Sequence, residues 1–416
     1  MIVNKWSMLT LIFYYALAIL GVTSIWKIQK SNNGLIYKRN YIYKVNRAAF
    51  IWFILWIFFA VYRYISPQIG GTDAPSYIEY FETCLVSNQH PYSYRTEPLF
   101  RLFTKGIRLL GGDYHFYFFI LYTVIVIGYI LFLKQYTWHG ICFIPIIAGL
   151  YSYIMSFNIV RNSFSIGLLW IGFYFLGKKK TKKAIFWSVS SVLMHTASIF
   201  YAPFFVFNWI VDKLKIKSFR KLVSICTVLM IFIDASCIFV RNLVLSDSLN
   251  GLFRKLGLGQ PFDVYASEIY GTSFWWDFLH FRISRLQLIL VVVLFVFITP
   301  IEKYVNSQGS EAIAKFDILK KMIAYDYTAL PLVFWFSVWR GPLYFVLART
   351  IMWGIIIVAL LKKISQRSRN FVILITLIGA SLFFCKEIYK YWEVSKLTPY
   401  YLEPFGEIIE LIKSLQ

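Results

Sequence analysis

Asp73 is the carboxylate whose position in the sequence is best suited to chemistry. It ends the turn Gly70-Gly71-Thr72-Asp73, which follows the almost wholly apolar run 48–62. An apolar run near the ~20 residues that cross a bilayer indicates a membrane segment, so we expect Asp73 at the membrane surface, facing a large loop. A carboxylate in that place can act as a general base, and the alternative interpretation is a solvated turn.

Three arginines on the expected outer side of the membrane are the natural partners for an anionic substrate. Arg161 lies between two apolar helices, Arg340 follows another, and Arg349 lies within the next. Arginine suits a diphosphate because its planar fork binds two oxygens and stays charged. The alternative is snorkelling, or pairing with Asp326, Glu387 or Glu393, which is an option for Arg340 in particular.

The segment 97–110 has the pattern of an amphipathic helix lying on the membrane surface. Pro98 suits its first turn, and Arg101, Lys105 and Arg108 follow at helical spacing to form one basic stripe. We expect these cations to face phosphates, with apolar residues in contact with lipid. A simple lipid anchor is the alternative.

His195 is an ionisable residue in the otherwise uncharged stretch SSVLMHTASIF. The segment 184–211 is long for one span and has basic clusters at both ends, so two half-length helices that break near His195 and Thr196 satisfy the charge rule better than one crossing. Broken helices are tolerated where protein or a watery cavity meets the freed backbone groups. His195 is therefore a catalytic candidate, and a packed histidine is the alternative.

Trp275 and Trp276 lie in a second expected external loop, beside carboxylates. Aromatic rings pack on the apolar faces of sugars, but tryptophans also form the belt at membrane interfaces. Both interpretations stay open.

Composition indicates an all-α, polytopic integral membrane protein, with residues 1–416 as one membrane domain. The chain is 59% hydrophobic and 20% aromatic, and its net charge is +23. The basic residues cluster between apolar runs, as the positive-inside rule predicts for cytoplasmic loops, which argues against a nucleic-acid role. The five cysteines show no paired spacing, so neither disulfides nor a metal site is expected. The first apolar run is expected to be a retained helix.

Threading the basic loops to the cytoplasm predicts about ten spans and one re-entrant helix pair. The large loops 65–113 and 245–280 and the C-terminal tail are then external. The predicted spans lie near 7–26, 48–64, 114–133, 137–157, 159–177, 222–244, 281–300, 323–339, 341–361 and 370–388, and the re-entrant pair at 184–211. No nucleotide-binding loop, metal triad or Ser-His-Asp spacing is found, and no cofactor is expected.

Several short motifs, in order, resemble a known family. They are Gly71-Thr72-Asp73 with Tyr77 and Phe81, Glu97-Pro98-Leu99-Phe100, Asn158 with Arg161-Asn162, and Met194-His195-Thr196-Ala197-Ser198 before Pro203. Together they look like the EpsG family of Wzy-type exopolysaccharide, capsule or O-antigen polymerases. The likeness is clearest over residues 60–210, and Asn162 stands where the family often has glutamine.

The resemblance implies a polymerase that joins repeat units carried on undecaprenyl diphosphate at the outer face of the bacterial cytoplasmic membrane, and a likeness to the GT-C class. It also implies that a flippase and a chain-length regulator work beside it. On this hypothesis Asp73 is the base, Arg161 and Arg349 hold the diphosphate, His195 orients a group or relays a proton, and Arg101 and Arg108 hold the lipid-linked acceptor. Arg340, Trp275 and Trp276 are further substrate-binding candidates. The reaction is expected to invert the anomeric centre without a metal.

Two rival functions use some of the same residues. A flippase or exporter for lipid-linked oligosaccharides would need the arginines but no base; the chain shows no repeated halves of the kind many transporters have. A membrane O-acyltransferase would use His195 as its base, but nothing in the sequence marks a site for an acyl donor.

Overall fold

The computed structural model describes residues 73–86, 96–136, 159–244, 282–335 and 341–361, with a few single positions at 54–65 and 365–371. Every regular element in these ranges is a helix, as composition predicts. The predicted spans 7–26 and 137–157, nearly all of 48–64 and 370–388, and the external loop 245–280 lie outside the described residues. The chain divides into two compact units, and each is described by itself.

The first unit contains the N-terminal part of the chain to His90 and residues Leu102–Gly167, together with the C-terminal end from Leu361. Helix α1 is Ala74–Thr83, α2 is Pro98–Leu109 with its start in the second unit, and α3 is Tyr114–Lys134. Pro98 is the first residue of α2, as predicted.

Helix α3 has a side-chain N-cap and packs on α1. The Asp113 carboxylate accepts a hydrogen bond from the Phe116 N–H at 2.8 Å, which satisfies one of the donors that a helix start leaves open. Phe81 of α1 stacks on Tyr117 of α3 with ring centroids 4.8 Å apart, and both rings are buried. The aromatic contact fixes α1, and so Asp73 before it, against a long apolar helix.

The second unit contains Pro91–Arg101 and Leu168–Leu360. Its helices are α4 (Val160–Gly177, which starts in the first unit), α5 (Thr181–Met194), α6 (Phe204–Lys213), α7 (Phe219–Val244), α8 (Arg282–Asn306), α9 (Ser310–Thr328), α10 (Leu330–Trp335) and α11 (Val346–Leu361). Short 3-10 segments at Thr196–Phe200 and Gly341–Phe345 precede α6 and α11. Helix α9 packs against α7 and α8.

Three described helices are long and apolar enough to cross a membrane: Tyr114–Leu133, Gln287–Asn306 and Leu343–Leu360. These helices indicate a membrane protein. The predicted total of about ten spans and the GT-C likeness stay predictions.

The region around α9 differs from the predicted boundaries. The predicted spans 281–300 and 323–339 leave the lysine-containing residues 301–322 as a connecting loop, but α8 extends to Asn306, and α9 begins at Ser310 and ends at Thr328. The lysines of this helix have acidic partners: Lys315 contacts Glu311 at 2.7 Å, and Lys320 contacts Glu302 at 2.9 Å. Paired lysines can be buried, so a basic run need not be a loop.

Candidate functional site

The predicted break at His195 is confirmed within 184–211. Helix α5 ends at Met194, His195 is extended with φ −156° and ψ 121°, and a 3-10 segment runs from Thr196 to Phe200. Helix α6 then starts after Pro203, whose ring fixes φ at a value that suits a helix start. Whether this pair of helices is re-entrant stays a prediction.

The Glu97 carboxylate contacts the residues at this helix break. Its Oε1 lies 3.1 Å from His195 Nδ1, and it accepts hydrogen bonds at 2.7 Å from both the backbone N–H and the Oγ1 hydroxyl of Thr196. The Glu97 side chain is 5% exposed and that of His195 is 15% exposed. A buried carboxylate needs such donors, because burying an unpaired charge is costly.

The other end of the 3-10 segment is held by aromatic residues. The Tyr325 hydroxyl donates to the Phe200 carbonyl oxygen at 2.8 Å. Tyr201 stacks on Tyr344 at 5.0 Å with the rings only 9° from parallel, and both rings are buried. The segment that starts at His195 is therefore fixed at both ends within the second unit. A rise of about 2 Å per residue puts those ends roughly 10 Å apart.

Arg349 pairs with a buried carboxylate one residue beyond Tyr325. Its Nη1 donates to Asp326 Oδ2 at 2.6 Å, and the Gln287 side-chain amide donates to the same oxygen at 3.0 Å. The sequence interpretation offered Asp326 as a partner for Arg340, but the structure pairs it with Arg349. This contact uses one nitrogen of the Arg349 guanidinium, and the fork has five N–H donors in all.

Asp73 and Arg161 both belong to the first unit and stand at helix starts. Asp73 occupies the N-cap position of α1, where its carbonyl accepts from the Tyr77 N–H at 3.2 Å, and its side chain does not cap the helix. Arg161 lies in the first turn of α4. Both residues are half-buried. Their joint role stays a prediction.

The two predicted acceptor-binding arginines lie on α2, at its start and in its last turn, and both are half-buried. The Arg108 guanidinium lies over the Phe81 ring at 5.6 Å, and its Nη1 is 3.5 Å from the Gly112 carbonyl oxygen. Leu102 and Leu109 are 69% and 71% exposed, as expected for a helix that contacts lipid. The amphipathic helix is confirmed; its lipid contact and the role of Arg101 stay predictions.

Arg340, Trp275 and Trp276 lie outside the described residues. Across the ranges that the structure does describe, no group of three His, Cys, Asp or Glu side chains could hold a metal ion.

Sequence reasoning missed Glu97 as a functional residue, although it stands in a motif quoted for the family resemblance. Glu97 and His195 are 98 residues apart along the chain, so no local spacing joins them. One signal was available: proline disfavours the helical conformation in the residue before it, so Glu97 could be expected just outside the start of the helix. The Asp326–Arg349 pair, 23 residues apart on different helices, gave no spacing signal either.

A family model described as the EpsG family matches residues 46–402. The comparisons with curated proteins and with solved structures each gave no match. The matched range contains Asp73, Glu97, Arg161, His195 and Arg349.

Proposed function

The chain belongs to the EpsG family, and from this membership we propose that it is a membrane glycosyltransferase that polymerises a surface polysaccharide. Its substrates are oligosaccharide repeat units carried on undecaprenyl diphosphate, and it works at the outer face of the bacterial cytoplasmic membrane. The observation that carries the proposal is the family match over residues 46–402. The three apolar helices support a membrane location and a lipid-linked substrate.

The proposed reaction is a single displacement. The oxygen of an acceptor-sugar hydroxyl forms a bond to the anomeric carbon of the donor sugar, and the bond from that carbon to the diphosphate oxygen breaks. The hydroxyl proton passes to Asp73 as general base, and the lipid diphosphate leaves with its negative charge. One displacement inverts the anomeric configuration.

Cations stabilise the departing diphosphate, so the reaction needs no metal. Arg161 and Arg349 have the planar fork that binds two phosphate oxygens, and we assign them to this role. The half-buried positions of both residues support the assignment, because an arginine shielded from water binds an anion more strongly. Arg340 is a further candidate for the same charge.

The lipid-linked acceptor is assigned to α2. Arg101 and Arg108 lie on this amphipathic helix, whose exposed leucines suit a lipid surface. Trp275 and Trp276 are assigned to sugar contact. We further propose a GT-C-like arrangement of about ten spans with a re-entrant pair, and a flippase and a chain-length regulator as partners.

The proposal is tested with purified full-length protein in detergent. The probe is lipid-linked oligosaccharide extracted from cells of the same strain in which the gene for this chain is deleted. A polymerase lengthens the glycan in one compartment, whereas a flippase leaves its length unchanged. Unchanged glycan length with folded wild-type protein contradicts the proposed function.

Asp73→Asn tests the base in the same assay. We expect polymer formation to fall by about 10²–10⁴-fold, which is the usual contribution of general base catalysis. Asp113→Asn is the matched control, since it removes a carboxylate at another helix start while asparagine still caps α3. Polymer of normal length and rate from the Asp73→Asn protein would remove Asp73 as the base.

A further inference from the structure

We propose that Glu97 is a positioning residue that holds His195 in one tautomer, with the proton on Nδ1, so that Nε2 is the nitrogen that receives, through water, the proton that Asp73 takes from the acceptor hydroxyl. The catalytic part of this inference rests on the proposed function. The tautomer itself does not, because it follows from the hydrogen bonds around Glu97.

The tautomer follows from what the Glu97 oxygen already accepts. Oε1 receives the Thr196 backbone N–H, which can only donate, and the Thr196 hydroxyl, both at 2.7 Å. An oxygen that accepts two such bonds is an acceptor for its third neighbour as well. His195 Nδ1, at 3.1 Å, must therefore be the donor. In a neutral imidazole with Nδ1–H, the basic lone pair is on Nε2.

The local chain geometry explains why Glu97 is in this position. Its carbonyl oxygen accepts the first backbone hydrogen bond of α2, from the Arg101 N–H at 3.1 Å, so Glu97 is the N-cap residue of that helix. The following residue is Pro98, which keeps Glu97 out of the helical conformation. The Glu97 side chain therefore extends from the start of α2 to the start of a second helical segment, instead of capping its own helix.

That second helical segment is the 3-10 segment Thr196–Phe200. Because α5 ends at Met194 and His195 is extended, the Thr196 N–H begins a new helical segment and needs an acceptor from outside. Glu97 supplies it. The His195 carbonyl oxygen accepts from the Ser198 N–H at 3.1 Å and from the Ser198 hydroxyl at 3.0 Å, which fixes the backbone from which the imidazole extends.

A capping role alone would not need a histidine at this position. Thr196 alone gives Glu97 Oε1 two hydrogen bonds, and any polar side chain could follow Met194. The imidazole adds a group that can hold a proton, and the buried carboxylate beside it stabilises the imidazolium that results. In this scheme the acceptor hydroxyl gives its proton to Asp73, water carries that proton to His195 Nε2, Glu97 remains ionised, and the proton returns to water when the product departs.

The tautomer is measured by solid-state NMR on full-length protein in lipid bilayers, labelled with ¹³C and ¹⁵N in histidine. The chain has five histidines, and the difference spectrum against His195→Gln identifies the His195 signals. We expect a protonated Nδ1 and an unprotonated Nε2 at neutral pH. A His195 with its proton on Nε2, or an even mixture of the two forms, overturns the inference.

Two variants show which group sets the tautomer. In Glu97→Ala the proton should move largely to Nε2, the form that imidazole prefers in water. Thr196→Val is the matched control: it removes the hydroxyl donor but keeps the backbone N–H and the His195 contact, so the tautomer should stay as in wild type. A proton that moves in Thr196→Val and not in Glu97→Ala overturns the role of Glu97. If Glu97→Ala does not fold, the wild-type tautomer still decides.

Activity with the extracted lipid-linked oligosaccharide then tests the consequence. Glu97→Gln keeps the shape but loses the charge, and we expect its turnover to fall on the order of 10²-fold, as for a misplaced catalytic group. Turnover equal to wild type overturns the positioning role. Wild-type protein that makes no polymer contradicts the proposed function instead, and the NMR result on the tautomer then stands by itself.

Discussion

The packing of α3 against α4 gives a stability prediction that follows from distances alone. A Cβ built on Gly128 of α3 would lie 2.3 Å from the backbone oxygen of Gly167 on α4, whereas ordinary contact begins at 3.4 Å. Gly128→Ala must therefore move the two backbones apart by about 1 Å, because neither contacting atom belongs to a flexible side chain. Small residues at such crossings are what let membrane helices approach closely.

The expected cost is the difference of two terms. Overpacking costs roughly 1–3 kcal/mol, and replacing a helical glycine by alanine returns about 0.5–1 kcal/mol. The net loss for Gly128→Ala is thus about 0–2.5 kcal/mol, and a clash with backbone atoms that cannot rotate away favours the upper half of that range. Gly106→Ala is the matched control: Gly106 lies in α2 and a Cβ there meets nothing within 4 Å, so alanine should stabilise by about 0.5–1 kcal/mol.

The assay is the apparent melting temperature of full-length protein in detergent, at one scan rate because unfolding of membrane proteins is commonly irreversible. With roughly 2–4 °C per kcal/mol, Gly128→Ala should melt several degrees below wild type and Gly106→Ala slightly above. A Cβ on Gly167 would lie 2.8 Å from the Ile125 Cα, at the same crossing. The double variant should therefore lose less than the sum of the two single losses. Equal melting of Gly128→Ala and Gly106→Ala would refute the reasoning.

Two further predictions concern buried charges in the second unit. Asp326→Asn leaves the Arg349 guanidinium without its charge partner and should cost about 3–5 kcal/mol, whereas the double variant with Arg349→Met should recover part of the loss; equal melting of the single and double variants contradicts this. Burial lowers the pKa of Lys321, but hydrogen bonds to Asp212 and Asp317 outweigh burial and hold that pKa above its ordinary value. Stability from the raised pKa is complete below the ordinary lysine value of about 10.4 and is lost as pH rises through the folded-state pKa, so the melting difference between wild type and Lys321→Met should shrink in alkali. A difference that is constant from neutral pH to alkali would exclude this linkage.

Local features of the sequence predict much of the fold near the site. Helix α2 begins at Pro98, where a missing N–H costs nothing, and α3 begins after the capping residue Asp113. The break at His195 is predictable because the segment is too long for one span and has basic ends. Each of these signals acts within a few residues, which is why one sequence suffices to find them.

Pairings between distant helices are the part that the sequence does not predict. The sequence pattern places Lys320 and Lys321 in a loop between two spans. In the structure both lie buried in α9, where acidic residues of α6, α8 and α9 itself compensate their charge. The sequence pattern identifies Glu97 only as the start of an amphipathic helix, and its contact with His195 is formed only in the folded chain. Charge complementarity across 98 residues has no period, so pattern analysis cannot detect it.

The helix break and the buried glutamate depend on each other. In a continuous helix the Thr196 N–H would bond to the carbonyl four residues earlier, and His195 would be directed by the helix surface. Glu97 would then be a buried carboxylate with one donor fewer, a costly arrangement. The break creates the backbone donor, the hydroxyl and the imidazole orientation that make the burial of Glu97 possible, and Glu97 in turn stabilises the extended His195. A substitution that restores helix at this point should therefore disturb the imidazole even if every side chain that contacts substrate is unchanged.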